Sequence, residues 1–328
     1  MKNHTRRKML CRALAVACVA FLPPPHAYAN DAFLTSDEYI SALQQTYISC
    51  IGIDEQLNDL KKMAGINTAV TAVGTAAGVG ATVVGFIKAD KDEQIEKLEM
   101  ERLQKISDSN INSGVTNGKT TDNLAALETY YNNHKNDSQT DIDTEIDRLT
   151  NQSKNLGNWR TGLLAGSTAT NVAGAIISGT NKVDDDLKSQ IDNCVASVNA
   201  LERAIMQARM DGIDVAEGES IAAACGEFEY VDVSKINNRA QGAFISSLVG
   251  TATGLAGTVT SAIANTDKTR NDNTESGKQK EKNLNTAANV LSIGTTLASG
   301  TATVFNATQI SAIKKVATVA EKCTGVLK

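Results

Sequence analysis

Past residue 29 the chain contains no proline; its three prolines all fall at positions 23–25. Proline in a helix interior removes a hydrogen bond and costs about 3 kcal/mol, so a stretch of this length without one is free to form long, unbroken helices. Inside it, one layout occurs twice: a glycine- and alanine-rich helical hairpin flanked by two cysteines. Val73-Gly74-Thr75-Ala76-Ala77-Gly78 aligns with Val249-Gly250-Thr251-Ala252-Thr253-Gly254 at an offset of 176. Lys154-Asn155-Leu156, with Leu163, Gly166 and Thr168, aligns with Lys282-Asn283-Leu284, Leu291, Gly294 and Thr296 at an offset of 128.

The cysteines obey the same frame. Cys50 lies 28 residues before Gly78 and Cys194 lies 28 after Gly166; Cys225 lies 29 before Gly254 and Cys323 lies 29 after Gly294. In an antiparallel helical pair, residues equally far from a common level face each other, which predicts Cys50–Cys194 and Cys225–Cys323 bridges. The 48-residue difference between the offsets is extra length in the first hairpin.

Residues 1–29 read as an export signal. Arg6, Arg7, Lys8 and Arg12 form a basic n-region, Ala13 to Leu22 an apolar core too short to span a bilayer, and Ala27-Tyr28-Ala29 a cleavage site before Asn30. The remaining chain carries 27 Lys plus Arg against 37 Asp plus Glu, a net charge of −10. With no basic face to release counterions, nucleic acid is excluded as a partner. Export implies an oxidising compartment, where four cysteines make two disulfides; spacings of 144, 31 and 98 offer no close pair of the kind a Cys₄ metal site uses.

Apolar residues recur at helical spacing from Ile40 through Cys50 to Leu60 and, with no breaker, on through Ile66, Val70, Val73, Ala77, Gly80, Val84 and Ile87, a heptad-like seam. This predicts one helix from about residue 35 to 108, a polar tip at 109–121, a short helix over 124–131, and a return helix through Trp159 into 161–180. Val183, Leu187, Ile191, Cys194, Val198, Leu201 and Ile205 continue it to Gly212. The expected organisation is a long hairpin over 30–211, a connection at 212–225, and a short hairpin over 226–328 with its tip at 266–280. The fold class is all-α, an elongated antiparallel up-down-up-down four-helix assembly of two disulfide-closed hairpins. Only 227–233, FEYVDV with its preceding residue, has the composition of a short strand.

Gly74/Gly78, Gly162/Gly166 and Gly250/Gly254, with Gly294, are predicted to be the flat strips on which neighbouring helices pack, since a helical glycine costs about 1 kcal/mol that close approach must recover. The small-xxx-small spacing resembles the glycine-zipper segments of helical membrane-active proteins, over less than a third of the chain. Two functions fit. One is an exported structural or interaction protein of the bacterial cell envelope or exterior, periplasmic or extracellular, that presents the first tip to a partner protein, a membrane surface or a second copy of itself. The other is a protein that inserts into a membrane through the glycine-rich segments, each long enough to cross a bilayer core of about 30 Å. Loop charge argues against orientation by the positive-inside rule, because 88–160 carries 10 basic and 14 acidic residues. Asn67, Asn171, Asn289 and Asn306 and the scarcity of Leu favour the soluble partner-binding reading.

No catalytic constellation is present. His134, the only histidine past the signal, sits in a polar break, and Asp184-Asp185-Asp186 and Asp141-x-Asp143 lack the glycine and distal glutamate of a calcium loop. The expectation is no enzyme activity, no cofactor and no metal. Tyr130, Tyr131 and Trp159 are the candidate partner contacts.

Overall fold

In the computed structural model, residues 32–112, 137–270 and 274–328 are described, and every element among them is helical. The signal, positions 113–121 of the first tip, the 124–131 helix, Tyr130, Tyr131 and His134 lie outside the described residues. The elements are α1 (Ala32–Cys50), α2 (Ile53–Asn112), α3 (Asp137–Thr180), α4 (Asp185–Met210), α5 (Ala216–Cys225), a 3₁₀ turn (Gly226–Tyr230), α6 (Ser234–Ala264), the single turn α7 (Asp267–Arg270) and α8 (Glu275–Leu327).

Several boundaries depart from the sequence reading. The first helix is interrupted at Ile51–Gly52, where Gly52 takes φ +85°, a conformation that glycine adopts without a Cβ penalty. Gly212, at φ +75°, ends α4 as expected of a helix-terminating glycine, with the Ile213 amide bonded back to the Ala208 carbonyl. The 212–225 connection is itself largely the helix α5, and Gly226–Tyr230 is a 3₁₀ turn rather than a strand. The second tip is shorter than 266–280, because Thr274 caps α8 by accepting from the Gly277 amide.

One end of the molecule is a head with a conventional apolar core. Helix α1 lies on α4, while α5, the 3₁₀ turn and the last turns of α8 close over them. Ile53, Leu57, Leu187, Val198, Leu201, Phe228, Ile236 and Ile313 fill the interior, and the Gly218 amide donates to the Tyr39 hydroxyl to hold α5 on α1. Both expected disulfides are present here: Cys50–Cys194 with Cα atoms 4.8 Å apart and Cys225–Cys323 with 4.6 Å. Asp184, from the acidic run, is an N-cap, its carboxylate accepting from the Leu187 amide; Asp143 pairs with Arg102.

Beyond the head, α2 lies between α3 and α8, and α6 likewise. Contacts along α3 run in opposite order on both neighbours: Gly74 faces Thr170 while Gly85 faces Arg160, and Gly254 faces Thr168 while Gly174 faces Ser247. Burial on α2 recurs at Ala64, Asn67, Thr71, Gly74, Gly78, Ala81, Gly85 and Lys88, in alternating steps of three and four. On α6 it recurs at Ala240, Ala243, Ser247, Gly250, Gly254, Gly257, Ser261 and Ala264, each 176 residues later.

The apolar seam expected to pack is therefore only at the edge of the interface or outside it. On α2, Ile66, Val73 and Ile87 are exposed and Val70, Ala77, Gly80 and Val84 half-buried; on α6, Ile245, Leu248, Leu255 and Val259 are exposed; and the buried stripe is the one of small and polar residues beside them. The glycines explain the choice. A Cβ on Gly78 would stand 3.2 Å from the Thr296 Cα, and one on Gly250 2.8 Å from the Asn171 amide carbon, so these helices pack closer than side chains allow. Gly294 makes ordinary contact with Thr253. Gly162 and Gly166 are corrections: a Cβ on either meets nothing within 4 Å, and they lie on the outer face of α3. In the long helices, Gly157, Gly174 and Gly242 are tight glycines that the sequence reading passed over.

This contrast sets a stability test. Gly78→Leu should overpack α2 against α8 and destabilise by about 1–3 kcal/mol in thermal unfolding. Gly166→Leu should leave the melting temperature unchanged or raise it, since it only removes the helical cost of glycine, about 1 kcal/mol.

Candidate functional site

The interior of the four long helices is a file of polar side chains. Nearest the head, Gln309 donates to the Asn181 carbonyl. Next, the Asn67 amide donates to Ser178 Oγ (2.6 Å) and to Asn306 Oδ1 (2.9 Å). One layer on, Asn171 Nδ2 donates to Ser299 Oγ at 2.8 Å and the serine hydroxyl donates back at 3.0 Å. Asn67, Asn171, Ser178, Ser299, Asn306 and Gln309 are all buried. Such layers are worth having only when satisfied, and most members are. Asn67 Oδ1, Ser247 Oγ, Ser292 Oγ and Gln309 Oε1 have no protein partner.

Threonine hydroxyls are closed off locally. Thr71, Thr75, Thr82, Thr168, Thr251, Thr258, Thr295 and Thr303 each donate to the carbonyl four residues earlier, and so does Thr301 on the outer face.

Away from the head the file ends in charged groups. Arg160, 1% exposed, donates through Nε to Ser261 Oγ (3.0 Å), through Nη1 to Asn289 Oδ1 (2.9 Å) and through Nη2 to Asn285 Oδ1 (3.2 Å). One guanidinium thereby ties α3 to both α6 and α8. Beside it, Lys88, also 1% exposed, bonds Asp92 at 2.5 Å and lies 3.8 Å from Glu281; Asp92 accepts from Ser153. Burial lowers the Arg160 pKa to about 10, with Asp92 opposing, so it remains charged at neutral pH. Burial likewise lowers Lys88 against the pull of Asp92, and raises Glu281 against the pull of Lys88.

Between the head and this cluster, all four helices lack charge, over 63–87, 161–181, 240–266 and 283–313. Most of their outward residues are apolar: Ile66, Ala69, Val73, Val79, Val83 and Phe86 on α2; Val172 and Ile176 on α3; Leu248, Leu255 and Ile263 on α6; Val290, Leu297 and Val304 on α8, with Gln241, Thr301 and Ser311 among the polar exceptions. Two helical stretches, within 37–105 and Ser234–Ala264, are long and apolar enough to cross a membrane. Trp159 is 68% exposed and lines a groove of about 470 Å³ with Asn155, Asn158, Gly162 and Leu163, next to Arg160 and thus at the rim of the apolar belt.

Trp159, a candidate contact from the sequence, is exposed as that reading requires, and Asn289, singled out there only as a polar group in its segment, joins Arg160, Lys88, Asp92, Glu281 and Asn285, which the sequence reading did not single out. Their signal was positional, since Lys88 and Arg160 are the charges that bound the uncharged stretches of α2 and α3. No known protein family, curated protein or solved structure matches this chain.

Two outcomes follow for the charged cluster. Arg160→Met leaves Ser261, Asn285 and Asn289 without their donor and should destabilise by about 2–4 kcal/mol, while Arg160→Lys recovers only part of this because it lacks the fork. Glu281 has a raised pKa in the folded chain, so it contributes stability below its unfolded pKa that is lost as pH rises through the folded one. Glu281→Gln should therefore fall behind the unsubstituted chain in melting temperature as pH drops from neutrality into the ordinary carboxylate range. Parallel curves for the two chains would count against a raised Glu281.

Proposed function

We propose that this is an exported, membrane-inserting protein whose four long helices cross a bilayer as an up-down-up-down assembly of two disulfide-closed hairpins. The observation that carries the reading is the inverted pattern of burial: most large apolar side chains point outward along the uncharged stretches, Leu164 excepted, while Asn, Ser, Thr, Ala and Gly make up most of the interior. In water this arrangement forfeits the hydrophobic effect, whereas in lipid there is no such force between helices, and small residues with internal hydrogen bonds drive association. The shortest uncharged stretch, 161–181, would measure ~32 Å as helix, against about 30 Å for a bilayer core.

Three further features agree. Threonines such as Thr251 and Thr301, bonded to their own helix, have hydroxyls that need no water, as lipid demands. Trp159 at the belt's rim is placed like an interfacial anchor. The matching burial offsets of 176 and 128 support an origin by duplication.

The two ends are then in different compartments. The head, with both disulfides, stays on the oxidising side from which insertion starts. The charged ends of α2 and α3, with Lys97, Glu101 and Glu145, emerge on the other. Insertion after export also accounts for loops that ignore the positive-inside rule, which describes orientation during synthesis. The partner-presenting soluble scaffold is the second reading, and the polar groups that favoured it from the sequence lie inside, where they serve either reading.

Liposome flotation of residues 30–328 made in an oxidising compartment tests this. The chain should float with vesicles and resist alkaline carbonate, and Leu255→Asp with Leu297→Asp should abolish flotation. Each charge in the belt costs roughly 2.5–3.5 kcal/mol in lipid and almost nothing at an exposed site in water. A monodisperse chain that needs no detergent and ignores vesicles would falsify the proposal.

A further inference from the structure

The two bridges of the head are not independent. The sulfurs of Cys50, Cys225 and Cys323 lie within 4.8 Å of one another, and all four cysteines are buried. Cys50 is bonded to Cys194 while standing beside both sulfurs of the other bridge. Van der Waals contact is at roughly 3.5–4 Å, so a shift on the order of 1 Å would bring Cys50 against either of them.

We propose that this cluster is an intramolecular thiol–disulfide exchange site that re-pairs the head. A small dithiol opens Cys50–Cys194 first, and is itself oxidised to a disulfide as Cys50 and Cys194 become thiols. The Cys50 thiolate then attacks Cys323 or Cys225. One S–S bond forms as the Cys225–Cys323 bond breaks, the expelled thiolate takes up a proton, and no further electrons are consumed.

The consequence is mechanical. Native pairing keeps each bridge within one half, α1 to α4 and α5 to α8, so the halves are joined covalently only through the backbone between α4 and α5. A Cys50–Cys225 or Cys50–Cys323 bond staples the halves together. Resting on the membrane reading, the native pairing is the form whose hairpins can part to enter a bilayer, and the exchanged pairing is locked.

Cys194→Ser exposes the step without any reductant, since it leaves Cys50 as a thiol. The variant is held at mildly alkaline pH, acid-quenched, alkylated and mapped without reduction. Label spread over Cys50, Cys225 and Cys323 is expected; label confined to Cys50, in a chain that keeps its helical spectrum, overturns the proposal. Cys323→Ser runs the site in reverse: Cys225 should capture Cys50 and leave Cys194 labelled. Should both variants unfold, the unsubstituted chain with sub-stoichiometric dithiothreitol decides. Bridges between the halves are expected in partly reduced molecules, and only Cys50–Cys194 and Cys225–Cys323 there would overturn it. None of these maps involves lipid, so they stand or fall apart from flotation; a bridged product that floats as well as the native one refutes the lock alone.

Discussion

Close approach of backbones is the constraint on which the rest of this molecule depends. Where a Cβ on Gly78 would stand 3.2 Å from a neighbouring backbone carbon, no larger residue fits, and most of the interior along the uncharged stretches is glycine, alanine, serine, threonine and slender amides, with Leu164 a buried exception beside Gly257. Packing so narrow turns most of the valines, isoleucines and leucines outward. Belt and polar file are thus two faces of one choice of interhelical distance.

That distance also decides how the polar groups are satisfied. Asn67, Asn171 and Asn306 reach across the axis in two bonds each, because facing helices are within one amide's length. Arg160 lies at the end of the same axis away from the head, where Asn285, Asn289 and Ser261 supply three acceptors. The head works by the opposite rule, with Leu, Ile, Val and Phe inside and disulfides closing long loops.

The all-helical character and the cysteine pairing were legible in the sequence, because missing prolines and equal spacings from a common level are properties of chain geometry. The direction in which α2 and α6 face was not. Their apolar stripe and their small-residue stripe both have helical spacing and lie one position apart, as at Val73 and Gly74, and periodicity alone assigns the apolar one to the inside. The break at Gly52 was hidden by a seam that continues across it from Cys50 to Ile53. Gly162 and Gly166 carry the spacing of Gly74 and Gly78 but face outward, so the motif without its facing residue says nothing about contact. The Arg160 cluster draws on residues up to 193 positions apart, as with Asp92 and Asn285, which only the fold brings together.

The division between head and belt has a calorimetric corollary. Heat capacity rises on unfolding in proportion to the apolar surface newly exposed to water, and polar surface lowers it. The head hides its leucines and isoleucines and has the ordinary capacity to show such a rise. The belt hides serine, asparagine and glycine, and its apolar atoms are already outside. Its share of the molecule is nearly silent in heat capacity, and its stability curve is correspondingly flat with temperature. Two segments of one helix, α8, would thus melt by different thermodynamics on either side of Ile313.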